Sequence, residues 1–234
     1  MSSENVFTLS CGCNVPVIIE TRRGACNVTL RPKITPQFEI HVSKPWTTSN
    51  MFVMKFLESK RKWIENIFAQ APKKETIKPE DIIEFLGRPV KLKHDEHLRS
   101  NKYLDTDKTT LCIGGGADMF ERRVRDFIKS ELLSEIKNII RTTPQQYWPK
   151  HISLRDTSSR WGSCSSNGNM SFSWRLAFAP YDVMRYVVMH ELAHREHMNH
   201  SPEFWATVSK LYGFGVERAK RWLNKNGCNL HTYF

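Results

Sequence analysis

Apolar and polar residues alternate over 15–22, 25–32 and 38–42, the period of a half-buried strand. The turn-forming pairs Arg23-Gly24 and Thr35-Pro36 fall between these runs. The pattern predicts a small antiparallel meander. From 48 to 69 the period lengthens, with Phe52, Phe56, Trp63, Ile64 and Ile67 near helical spacing and Lys60, Arg61 and Lys62 among them. One amphipathic helix with a solvated basic face is expected there. A polar connection over 72–79 leads to a strand over 85–92, interrupted near its start by Gly87-Arg88-Pro89, and 102–113 adds further extended chain. Gly114-Gly115-Gly116 lacks the Lys-Ser/Thr that would make it a phosphate loop, so it reads as a flexible hinge.

After Asp118, Phe120, Val124, Phe127, Ile128, Leu132, Ile136 and Ile140 recur at intervals mostly of three and four, which predicts a long core-facing helix. Pro144 and Pro149 end it. Two strands follow, at 151–155 and 170–174, and the Asn167-Gly168 turn signal between them predicts a hairpin. Pro180 and Asp182 open a helix running past His194, apolar over a wide arc. Ser201-Pro202-Glu203 starts the next, carrying Phe204, Val208 and Leu211 and closed by Gly213 and Gly215. A last helix over 216–224 buries Ala219, Trp222 and Leu223. The fold class expected is α+β: an N-terminal antiparallel β-rich part with a helix over 1–116, then a compact domain with a small sheet and C-terminal helices over 117–234.

Composition narrows the class. The 234 residues are 40% hydrophobic and 25% charged, as in soluble globular chains, and no run approaches the roughly 18 apolar residues of a membrane helix. No membrane partner is expected. Glu4 stands where a secretory leader would carry Lys or Arg, and Leu9-Ser10-Cys11 reads as an ordinary strand. A cytoplasmic location is the expectation, with six cysteines as reduced thiols. The net charge of +11 is spread out: 25 Lys or Arg against 18 Asp or Glu in the first 150 residues, 10 against 6 in the last 84. Such a field attracts nucleic acid, nucleotides or acidic proteins without selecting one, and oligomeric state is not legible.

The chemistry gathers at His190-Glu191-Leu192-Ala193-His194. Four residues apart on a helix, His190 and His194 project from one face and can reach one cation. Glu191 is no third ligand; its place lets a carboxylate take a proton from metal-activated water and return it to a leaving group. His197 and His200 both lie within reach as the third ligand. A regular helix carries His197 about 4.5 Å along the axis from His194 and about 10.5 Å from His190, which favours His200. The interval to His200 is that of metzincins, but those have Gly where this chain has His197, and no Met-turn is visible. Cys164 reads as a buried thiol, and Cys11, Cys13 and Cys26 lack a fourth ligand at a zinc-finger interval.

Arg160-Trp161-Gly162-Ser163-Cys164, Asn169 with Trp174-Arg175-Leu176, Ala179-Pro180, His190 to His194, and Asn199-His200-Ser201-Pro202 with Phe204-Trp205 together resemble the YgjP-like metallopeptidase family, short zincins related to the SprT-like and gluzincin peptidases. The resemblance implies zinc at His190, His194 and His200, with Glu191 as catalytic base. It also suggests 169–173 as an exposed strand that pairs with a peptide, with Arg160 and Trp161 beside the cleft. The function expected is zinc-dependent hydrolysis of peptide bonds in a peptide or protein substrate, with Arg160 and Tyr212 as candidate oxyanion donors. The alternatives are a metal-dependent phosphohydrolase acting on nucleotides and a nucleic-acid binding module with structural zinc.

Overall fold

Strand β4 (Glu39–Lys44) buries Ile40 and Val42 almost completely, and so apolar a face is stable only with neighbours on both sides. In the computed structural model, which describes residues 5–33, 38–71, 75–157 and 160–234, β4 lies between β2 (Asn14–Thr21), parallel to it, and β3 (Thr29–Lys33), antiparallel. β1 (Asn5–Thr8) completes the order β1-β2-β4-β3. β2, β3 and β4 overlap the three predicted stretches, with β3 starting only at Thr29 and β1 additional to them, but the meander does not form: β2 and β3 are separated by β4. Arg31, Lys33 and Pro32, which has no N–H for a second neighbour, confine β3 to the edge. The turn expected at Thr35-Pro36 lies outside the described residues.

Two helices, α1 (Asn50–Ser59) and α2 (Arg61–Gln70), stand where one was expected. Lys60 leaves the helical region at φ −103°, ψ 7°, and the Ser59 hydroxyl donates to the Phe56 carbonyl beside the break. The break resets the helical phase. Val53, Leu57 and Ile64 are covered, whereas Phe52 and Trp63 are 54% and 46% exposed. These elements make up the first of two compact units, Met1–Lys73; the second is Lys74–Phe234.

In the second unit β5 (Ile82–Phe85), β6 (Arg88–Asp95), β7 (Lys102–Tyr103) and β8 (Thr110–Gly114) form a sheet of order β5-β6-β8-β7. Gly87 does not interrupt a strand; with Leu86, both at positive φ, it makes the tight β5-β6 turn. Residues 72–74 of the polar connection lie outside the described residues. The triple glycine is no hinge but a fixed crossing. The Gly114 carbonyl accepts from Arg123 at 2.7 Å, the Gly115 carbonyl lies 2.6 Å from His94 Nε2, and a Cβ on Gly114 would lie 2.1 Å from the Leu98 carbonyl oxygen.

Helix α3 (Phe120–Arg141) buries every predicted position except Phe127, which is partly covered. Its core extends from Ile77 to Phe234, so the division expected between 116 and 117 falls inside the second unit, between two elements that share that core. A further sheet holds β9 (His151–Arg155), β10 (Gly162–Cys164) and β11 (Asn169–Ser173) in the order β10-β11-β9. The expected hairpin is displaced by one strand. The polar stretch after β9 contains β10, which pairs antiparallel with β11 across the Asn167-Gly168 turn, while β9 and β11 run parallel. Helices α4 (Tyr181–Ala193), α5 (Pro202–Tyr212) and α6 (Val216–Asn226) follow. Thus the chain is α+β with its β-rich part first. Among the described residues no helix is long and apolar enough to cross a membrane.

A polar cluster lies within this core. Arg175, 4% exposed, donates to both Asp156 carboxylate oxygens at 3.1 and 3.0 Å. Burial, reinforced by Arg175, pushes the neighbouring His231 imidazole down to about 4, against the pull of Asp156. Unfolded histidine titrates near 6.5, so over the interval down to 4 the unfolded chain takes up a proton that the folded chain refuses. The stability from neutral His231 is full above pH 6.5 and lost as pH falls toward 4. Denaturant titrations at pH 7, 5.5 and 4.5 are expected to show a smaller acid-induced loss in His231→Gln than in the native chain. Gly114→Ala is expected to cost about 1–3 kcal/mol in the same measurement at pH 7, because the added methyl meets backbone that cannot turn aside.

Candidate metal centre

Helix α4 ends at Ala193, one residue before the second histidine rather than beyond it. His197 N–H bonds to the Ala193 carbonyl at 3.0 Å, and the chain then leaves the helical path. The His197 carbonyl lies 2.9 Å from His194 Nδ1. A carbonyl only accepts, so Nδ1 carries the proton and Nε2 keeps its lone pair. His197 thus orients a neighbour through its backbone. The ring that joins His190 and His194 is that of His200, whose Nε2 lies 3.2 Å from His190 Nε2.

One ligand atom from each of His190, His194 and His200 lies within 4.8 Å of the others, in a grouping that His197 does not join. Phe204, fully buried in the first turn of α5, is the common support: its ring centroid lies 4.9, 4.5 and 4.7 Å from the three imidazoles. Burial, then the proximity of His194 and His200, pushes His190 down to about 4. Burial also lowers His194. The lowered proton affinity of His190 and His194 favours their neutral, lone-pair-bearing form, and with His200 they bring three imidazole nitrogens together, the donor set of a borderline cation. His190 Nδ1 is buried without a partner among the described residues, which leaves that ring's orientation to packing.

Glu191 is 5% exposed, and burial raises its carboxyl to about 7, opposed by Arg160. β10 crosses close by: a Cβ on Gly162 would lie 2.6 Å from both Cγ and Oε1 of Glu191. Between β10 and the helices opens a cleft of about 400 Å³. Arg160, Trp161, Gly162 and Glu191 line one part, and Tyr186, His190, His200, Trp205 and Lys220 others.

The YgjP-like metallopeptidase domain model matches residues 28–226. The chain belongs to the YgjP-like family. The crystal structure of the metallopeptidase zymogen of Pyrococcus abyssi abylysin is similar over 45% of this chain and 98% of that one, at 23% identity and a TM-score of 0.32. No curated protein matches. Family membership makes this YgjP-like protein a metallopeptidase in general and implies a metal ion.

The strand marked from the sequence as a peptide rail, 169–173, is not exposed as an edge. β11 is central, with β9 on one side and β10 on the other, because Phe172 and Met170 are buried. Among the described residues the edge strands are β9 and β10, and β10 is the one that passes close to Glu191. Arg160 and Trp161 reach the cleft as expected, and Trp161 also packs on His231 with ring centroids 5.8 Å apart. Tyr212 does not line it: its hydroxyl donates to the Asp182 carbonyl at 3.2 Å. Cys164 and the pairings considered for Cys11, Cys13 and Cys26 join no metal-sized grouping among the described residues.

Sequence reading overlooked Tyr186 and Lys220, and it marked Gly162 within a motif without assigning it a role. Tyr186 was within reach, one turn before His190 on the same helical face. A glycine inside a strand signals close approach, and at Gly162 the approaching group is Glu191. Lys220 has no local signal, because the packing of α6 brings it to the cleft. Gly162→Ala is expected to displace the Glu191 side chain, leaving bound metal and thermal midpoint nearly unchanged while turnover falls about tenfold or more. Metal analysis, a melting curve and a rate measurement on one preparation check this.

Proposed function

We propose that this protein is a zinc-dependent peptidase in which His190, His194 and His200 hold the ion and Glu191 is the general base. The observation that carries the reading is the convergence of three imidazoles beside a buried carboxylate in an open cleft. Three imidazole nitrogen donors on a helix and its return turn suit zinc with one position left for substrate or water. When bound, zinc supplies the Lewis acid that polarises a carbonyl and makes a water easier to deprotonate.

The protein's own groups do the rest. Glu191, raised toward neutrality by burial, takes a proton from water in the cleft and returns it to the departing amine. Arg160, on the cleft wall and within electrostatic reach of Glu191, can donate to the oxygen on which negative charge develops. The free edge of β10, next to Glu191, can pair with an extended peptide and hold its backbone across the carboxylate. The His197 carbonyl keeps His194 in one tautomer throughout.

Two results are expected. Glu191→Gln keeps stoichiometric zinc and loses about 10²–10⁴ of peptide turnover, read by elemental analysis and chromatographic cleavage assays. His190→Ala with His194→Ala loses the zinc itself; retention of one ion per chain by that double variant refutes the site.

A further inference from the structure

The lining of the cleft that holds Glu191 also includes a cation seated on an aromatic ring. Lys220, on α6, holds its ammonium 4.3 Å from the centroid of the Trp205 ring. Trp205 is itself seated against the metal-site side chains, 5.7 Å from the His190 ring and 5.8 Å from that of His200, centroid to centroid. Lys220 therefore stands one aromatic ring away from the histidine cluster. The cation-π contact restricts a side chain that would otherwise sample many rotamers.

Charge in the cleft is one-sided. Arg160 and Lys220 both line it, and Glu191 is the sole acidic residue among its described lining residues. Glu217 pairs with Lys220 at 2.9 Å, but its side chain is 71% exposed and lies outside the lining. A solvent-exposed pair one helical turn apart is weak, so a ligand carboxylate inside the cleft can compete for the ammonium. The aromatic faces of Trp161, Trp205 and Tyr186 leave room beside it for the apolar stem of an acidic side chain.

We infer that Lys220 is a specificity determinant of the cleft, selecting peptides that present a carboxylate, from an acidic side chain or from the C-terminus, beside the bond to be cut. The inference rests on the proposed peptidase function and adds the substrate class to it. One charge-assisted contact of this kind is worth about a tenfold preference in kcat/KM.

The test uses the full chain loaded with zinc and two peptide series, one with Glu or Gln on either side of the scissile bond, the other with a free or an amidated C-terminus. The expected result is a preference of about tenfold for Glu in the first series or for the free carboxylate in the second, and the series that responds identifies the source. Lys220→Met, which keeps an apolar stem over Trp205, is expected to bring that ratio near one; Lys220→Glu is expected to reverse it in favour of Lys-containing peptides. Zinc content and circular dichroism accompany both variants, and Lys220→Gln, expected to bring the ratio near one, replaces either that does not fold. Peptides cleaved by the native protein with ratios near one in both series, or with a preference that survives Lys220→Met, overturn this inference and leave the proposed function standing. Failure to cleave any peptide, with Glu191-dependent hydrolysis of nucleoside triphosphates instead, overturns both.

Discussion

Three imidazoles packed on one phenyl ring are the constraint from which the second unit's architecture follows. Phe204 touches His190, His194 and His200 at similar distances, and its place at the start of α5 fixes where the chain must return after α4. Burial makes protonation of His190 costly and lowers His194 in the same direction. Two rings that resist protons, brought within reach of a third, are prepared for a different cation. The end of α4 at Ala193 belongs to the same constraint, since a helix continuing through His197 would carry the chain away from the point where His200 is needed.

Two groups of charged residues line the cleft. Glu191 is buried close under β10, where Gly162 leaves room for its side chain, and Arg160 offsets part of the burial cost of its charge. Trp205 links the histidine cluster to Lys220. In the proposed mechanism the first group handles protons and the second handles recognition. Changes in one can therefore alter rate without altering choice.

Local signals were read with most success where a single element determines its own burial. The α3 stripe from Phe120 to Ile140 follows from spacing alone, because one long helix has one phase. The histidine pair and its neighbouring acid were equally visible, being fixed by helix geometry, and His200 could be favoured over His197 by axial distance. What failed depended on partners distant in sequence. The place of β4 between β2 and β3, the parallel pairing of β9 with β11, and the break at Lys60 are settled by which face finds cover, and alternation is the same in a meander as in a crossover. The triple glycine misled for a related reason: glycine marks either freedom or crowding, and only Leu98, close against Gly114, tells which.

The free edge of β10 is three residues long. A long bare edge would be a template for another copy of the same molecule and a route to fibrous assembly, and natural sheets keep such edges short. In the proposed function this brevity also sets how a substrate strand is gripped: three residues offer a few main-chain bonds, too few to bind it tightly by backbone alone. On that reading, discrimination among substrates falls to their side chains and ends.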